Sequence, residues 1–201
     1  KIKAVDSSGT TTDYSAVKSI KCTTAAPSLS ISRVNGKPKL SWKAVSGATK
    51  YWIYRSADGK NFKYYDSTTK TSYTNSGAAS GTKYYYKVKA VATVNGKSVA
   101  SSYSYAKSLV CTPATPNVSI TSANGKPKLS WNAVNGATKY WVYRSTDGKN
   151  FKYYDSTTKT TYTNSSVKSG TTYYYKVKSV KVVNGNNIAS AYSNTVSIKA
   201  R

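Results

Sequence analysis

The chain contains no histidine, no glutamate and no methionine; its six acidic residues are all aspartate, and it has only four arginines. Without histidine or glutamate, the usual general bases reduce to Asp, Lys, Tyr and a lone Cys, so Ser-His-Asp triads, Cys-His pairs and histidine-based metal sites are excluded. Asp58 and Asp66 have the residue type of a glycosidase pair. Asp58, however, stands in an Asp-Gly turn and Asp66 in a Ser/Thr-rich one, where short polar side chains cap backbone groups, and the same holds for Asp147 and Asp155. Two scattered aspartates per repeat also supply too few oxygens for calcium, so no metal, no cofactor and no catalytic residue is expected. With arginine confined to Arg33, Arg55, Arg144 and Arg201, the planar fork used in base readout is scarce, which argues against sequence-specific nucleic-acid binding.

No run of about twenty apolar residues occurs, so a helical membrane span is not expected. The two cysteines, Cys22 and Cys111, fall at the same place in successive repeats, where Ala200 stands in the third. An intradomain disulfide is therefore impossible, and the redox state of the two thiols is left open.

What the chain does have is duplication. Trp131 follows Trp42 by 89 residues, the frame runs without a gap, and DGKNFKYYDSTTKT occurs letter for letter at 58–71 and 147–160. Roughly two-thirds of the aligned positions match, as in a recent tandem copy. The frame extends backwards, placing residues 1–26 as the C-terminal hairpin of a truncated upstream repeat, followed by domains at 27–112 and 113–201. An isolated hairpin is marginal in water, so this tail is expected to be disordered, to dock on a neighbour or to pair with another molecule's sheet edge.

Within each repeat, short β-rich runs alternate with turn dipeptides: Asn35-Gly36, Ser46-Gly47, Asp58-Gly59 and Asn95-Gly96. That punctuation predicts hairpins, and seven runs predict an all-β fold of tandem seven-stranded antiparallel β-sandwiches with no helix. Alternation places Leu40, Trp42, Tyr51, Ile53, Tyr84, Tyr86, Val88 and Ala90 on one inward face. Leu129, Trp131, Tyr140, Val142, Tyr173, Tyr175, Val177 and Ser179 do the same in the second copy.

The stretches KLSWKAVSGATKYWIYRSADG and SYTNSGAASGTKYYYKVKAV, with their counterparts KLSWNAVNGATKYWVYRSTDG and TYTNSSVKSGTTYYYKVKSV, resemble fibronectin type III domains of secreted and surface proteins of Gram-positive bacteria. The resemblance covers both full repeats. It implies an immunoglobulin-like sandwich, an extracellular setting and no catalysis, and it makes Tyr84 and Tyr173 tyrosine-corner residues with the hydroxyl tied to nearby backbone.

If Tyr51 and Ile53 point inward, Trp52 and Tyr54 point outward, joined there by Tyr85, Lys87 and Lys89 of the sixth strand. The second copy supplies Trp141, Tyr143, Tyr174, Lys176 and Lys178, and one of Tyr64 and Tyr65 must extend the first strip. Such a face can stack on sugar rings or bury against a partner, or it can be cross-strand pairing under lysine stems with no ligand at all. The formal net charge of +25 adds a generic attraction to anionic polymers.

Three functions follow from these features. One is a non-catalytic structural or adhesion module, a spacer or stalk of a secreted or cell-surface protein. A second is a module that uses the strip to bind cell-wall or host polysaccharide, an anionic polymer or another surface protein. A third is a filament subunit that self-associates by donating the N-terminal hairpin, residues 1–23, to a neighbour's sheet.

Overall fold

A computed structural model describes residues 1–16 and 24–201. Among these residues there is no helix. In the first copy the chain forms β1 (Ser30–Val34), β2 (Lys37–Ser41), β3 (Lys50–Ser56), β4 (Lys63–Thr68), β5 (Ser72–Thr74), β6 (Lys83–Val94), β7 (Lys97–Ala100) and β8 (Lys107–Val110). The second copy repeats the series as β9 (Val118–Ala123), β10 (Lys126–Trp131), β11 (Lys139–Ser145), β12 (Lys152–Thr157), β13 (Thr161–Thr163), β14 (Thr172–Val183), β15 (Asn186–Ala189) and β16 (Val196–Lys199).

Each copy is two antiparallel sheets. One has the order β1-β2-β5; the other runs β4-β3-β6, with β7 and β8 both paired along β6. The second copy reproduces this as β9-β10-β13 and β12-β11-β14 with β15 and β16. At Asn35-Gly36 and Asn95-Gly96 both residues have positive φ, with 47° and 79° at the first pair and 49° and 74° at the second. That is the mirror-image turn whose twist matches two paired strands, and these dipeptides close the β1–β2 and β6–β7 hairpins.

Ser46-Gly47 behaves differently from the hairpin its sequence predicts. It lies between β2 and β3, which belong to different sheets, so this loop is a crossover. Asp58-Gly59 does join paired strands, but in a longer loop where only Gly59 has positive φ, at 78°.

The seventh predicted run is also divided, since residues 101–106 leave the ladder between β7 and β8. The cause is local. The side-chain hydroxyls of Ser101 and Ser104 accept from the Ala90 and Val88 backbone N–H, each at 3.0 Å, so hydroxyl groups replace two rungs of the ladder. Both serines are buried, and Ser190 and Ser193 do the same for Ser179 and Val177.

The core of the first copy gathers Leu29, Leu40, Trp42, Tyr51, Ile53, Tyr86, Val88 and Ala90. That of the second gathers Val118, Leu129, Trp131, Tyr140, Val142, Tyr173, Tyr175, Val177 and Ala200, and the two clusters share no residue. Trp42 packs on Tyr51 and Trp131 on Tyr140, each at a ring-centroid distance of 5.1 Å. The inward tyrosines keep their hydroxyls satisfied: Tyr51 accepts from the Val45 N–H at 3.0 Å and Tyr140 from the Val134 N–H at 2.9 Å.

The tyrosine corner implied by the resemblance forms in one copy only. The Tyr173 hydroxyl accepts from the Lys168 N–H at 3.0 Å, whereas Tyr84, half-buried, makes no corresponding bond among the described residues. Residues 1–16 form a small hairpin closed by a Val5–Thr11 bridge and capped by the Asp6 carboxylate, which accepts from the Ser8 and Thr10 N–H groups at 2.9 Å each. Its Ile2, Val5 and Tyr14 side chains are exposed. Cys22, and the rest of the 1–26 tail between 17 and 23, lie outside the described residues.

Candidate functional site: the outer sheet face and its edge cleft

The β4-β3-β6 sheet turns its outer face to solvent, and the aromatic side chains on it are joined edge to face. Trp52 meets Tyr64 at 6.5 Å, Tyr64 meets Tyr54 at 5.9 Å, and Tyr54 meets Tyr103 at 4.9 Å, with interplanar angles of 84° to 88°. Lysines lie over the rings. Lys89 Nζ is 4.1 Å from the Tyr103 centroid, Lys87 Nζ is 4.4 Å from Phe62, and Lys50 Nζ is 5.8 Å from Trp52. These are the edge-to-face and cation–π geometries that hold rings together without a ligand.

The second copy rebuilds the ladder as Trp141, Tyr153, Tyr143 and Tyr192, with Lys176 over Phe151 and Lys178 over Tyr192. Burial, and secondarily the neighbouring Tyr103 phenol, raises the Tyr54 hydroxyl above its ordinary pKa; Tyr143 is raised in the same way beside Tyr192.

Of the sequence-derived strip, Trp52, Tyr54, Lys87 and Lys89 come together, as do Trp141, Tyr143, Lys176 and Lys178. Tyr85 and Tyr174 stand apart from the ladder. Each covers the Asp-Gly turn, so closely that a Cβ added at Gly59 would lie 3.0 Å from Tyr85 Cε1, and one at Gly148 3.2 Å from Tyr174 Cε1. Tyr64 is the residue that extends the strip. The β3–β4 register shifts between Ile53 and Tyr54, leaving Tyr65 as an extra residue turned to the opposite side.

Tyr103, Tyr192, Phe62 and Phe151 complete the face from loops, where the alternation expected of a strand no longer fixes which way a side chain points. Repetition was the available signal, since Tyr103 recurs as Tyr192 while its neighbour Tyr105 becomes Asn194. Asn194 holds both backbone groups of Val118, whereas Tyr105 is 92% exposed.

The same bulge builds an edge cleft. Arg55 has its guanidinium carbon 3.9 Å from the Tyr65 centroid and 4.8 Å from that of Tyr84, while Arg144 lies 3.9 Å from Tyr154 and 5.1 Å from Tyr173. A buried amide sets the lower ring. The Tyr65 hydroxyl donates to Asn75 Oδ1 at 3.0 Å, and Asn75 Nδ2 donates to the Tyr86 hydroxyl at 2.8 Å. The second copy has Tyr154, Asn164 and Tyr175 at 3.0 and 2.7 Å.

Each cleft measures about 450 Å³ and opens at the Asp-Gly loop. The carboxylate there is already engaged: Asp58 accepts from the Ser56 hydroxyl at 2.6 Å, from the Lys60 and Asn61 N–H groups, and from Asn61 Nδ2 at 2.7 Å. The Ser56 hydroxyl first, then those backbone N–H groups, hold the Asp58 carboxyl far below the usual carboxylate range, and Asp147 is held likewise by Ser145. Among the described residues no cluster of three or more His, Cys, Asp or Glu side chains occurs, and no helix is long and apolar enough to cross a membrane.

No known protein-family profile matches the chain. An amylopullulanase of Thermoanaerobacterium thermosulfurigenes is 38% identical over 74 residues, which is 36% of this chain and 4% of that protein. Among solved structures, the chicken interferon gamma receptor alpha chain aligns with a TM-score of 0.62 at 14% identity, over 87% of this chain and 98% of its own. A two-domain fibronectin type III segment of chicken tenascin aligns with a TM-score of 0.52 at 19% identity, over 87% of this chain and 99% of its own. At these identities the likeness shows the fold, an all-β tandem of fibronectin type III-like sandwiches.

Proposed function

We propose that these paired fibronectin type III-fold sandwiches, at 27–112 and 113–201 behind a 1–26 tail, are a non-catalytic structural or adhesion module. In this reading they act as a spacer or stalk of a secreted or cell-surface protein, as the resemblance to Gram-positive surface proteins implies. The observation that carries it is the pair of hydrophobic clusters with no shared member: each copy closes its own core, as a bead in a string must. The 74-residue match to a stretch amounting to 4% of a long enzyme supports a part that recurs inside larger proteins. Small-angle scattering tests the spacer. A string of beads gives a radius of gyration well above the ~16–17 Å of one compact globule of this length, and a value at that figure contradicts it.

A second reading, in which the outer strip binds polysaccharide, is favoured by the fact that this relative is named as an amylopullulanase. Tyr64 and Tyr153, each 56% exposed, leave ring surface for a sugar beside Trp52 and Trp141. A glycan array decides it. Binding lost in Trp52→Ala and Trp141→Ala supports this reading, and no binding, or binding unchanged by the variants, rejects it.

A further inference from the structure

The edge cleft of the first copy, which shares Tyr64 with the strip, has the parts of an acid-recognition site. The Arg55 guanidinium carbon lies 3.9 Å from the Tyr65 centroid and 4.8 Å from that of Tyr84, so two rings pack against a cation whose N–H edge is the group a ligand would meet. Its lower ring is fixed from below by Asn75, which is 1% exposed, so the cation is preorganised before any ligand arrives. Among the described residues, no protein acceptor bonds that edge. In the second copy the equivalent Arg144 donates Nη1–H to the Ser166 carbonyl at 3.2 Å, a bond that reaches across from the loop before β14.

The loops also differ in sequence here. Ser166, Val167 and Lys168 stand where the first copy has Gly77, Ala78 and Ala79. The Lys168 N–H also ties back the Tyr173 hydroxyl, whereas Tyr84 remains part of its own cleft wall. Duplication thus produced two like clefts, of which the first keeps an uncommitted arginine fork.

We propose that the Arg55 cleft binds the carboxylate of an acidic sugar unit, a uronate, with the guanidinium edge and the carboxylate meeting as two parallel N–H···O bonds. The rest of the wall suits a sugar more than a simple anion. Lys63 adds a second positive charge beside Arg55, the Tyr64 ring offers an exposed flat face, and the Asn61 side-chain oxygen and the Tyr84 hydroxyl can meet ring hydroxyls. Asp58 does not compete for the arginine, since its oxygens are bonded within their own loop. The volume of about 450 Å³ admits a sugar ring rather than a bare ion.

The test is calorimetric titration of the full chain with four probes of equal length: an oligouronate, an O-sulfated neutral oligosaccharide, its uncharged parent and an oligoglutamate. The oligouronate is expected to bind most tightly. Arg55→Lys, which keeps the charge and loses the fork, is expected to weaken it about tenfold, while Arg144→Lys changes it less than about twofold. Both variants are checked for an unchanged thermal midpoint. In the parent chain, the Arg55 side-chain N–H resonance is expected to shift on addition of the oligouronate.

The proposal is overturned by the absence of oligouronate binding, by equal losses in the two variants, or by an unmoved Arg55 resonance. Equal or tighter binding of the uncharged parent, the sulfated probe or the oligoglutamate also overturns it. Equal losses in the two variants mean generic attraction to the cationic surface.

Discussion

The Asn75 carboxamide spans two phenols, accepting from Tyr65 and donating to Tyr86, and its twin Asn164 does so for Tyr154 and Tyr175. Both amides are buried at 1% exposure, so removing either strands polar groups in a dry place. Asn75→Ala is expected to cost ~1–3 kcal/mol of unfolding free energy in urea titration and to loosen the ring under Arg55. No cost would show that water replaces the amide freely.

The buried phenols also set a pH limit. Burial raises Tyr86 and Tyr175 from an ordinary 10.0 to about 12 each, against a smaller lowering by the Asn hydrogen bond. The unfolded chain then loses these protons first. The stability they contribute is complete below pH 10 and falls as pH climbs from 10 through about 12. Urea titrations at pH 10 and pH 12 are expected to show this loss, and equal stability at the two would contradict it.

At the scale of the strand, each copy's sheet order depends on serines that act as ladder rungs. Ser104→Ala removes the hydroxyl that receives the buried Val88 N–H. The expected result is a loss of ~1–3 kcal/mol and faster amide hydrogen exchange at Val88, and unchanged exchange would contradict this role. These serines also mark where the sequence was hard to read. Alternation located the inward residues of β2, β3 and β6 because a buried face demands a period of two, and Asn-Gly located the two tight hairpins through its tolerance of positive φ. It did not show that 101–106 leave the ladder, since a serine hydroxyl imitating a backbone acceptor has no hydropathy signature.

The strip was legible only where it lay on strands. Trp52, Tyr54, Lys87 and Lys89 follow from alternation, whereas Phe62 and Tyr103 reach the face from loops. The extra residue at Tyr65 reversed the parity of β4 and created the cleft around Arg55, a consequence of hydrogen-bond register that side-chain type alone does not encode.

For the whole molecule, the two copies meet at a joint of small residues. A Cβ added at Gly81 would stand 2.7 Å from Val183 Cγ2 of the other copy, while one at the equivalent Gly170 meets nothing within 4 Å. Both glycines have positive φ, 85° and 79°, so each alanine carries a similar backbone strain, on the order of 1–2 kcal/mol. Gly81→Ala is therefore expected to alter scattering or interdomain relaxation in the tandem, and Gly170→Ala is not; equal effects would show that the joint does not sense this contact.

The central claim is that each copy is complete in itself, with its own indole, its own satisfied core tyrosines and its own three-against-five sheet arrangement. Thermal unfolding of residues 113–201 alone, followed by circular dichroism, tests it most directly. One cooperative transition from a β-rich state is expected, at a midpoint close to that of the same copy in the tandem. A segment that lacks β structure until residues 27–112 are restored would contradict it.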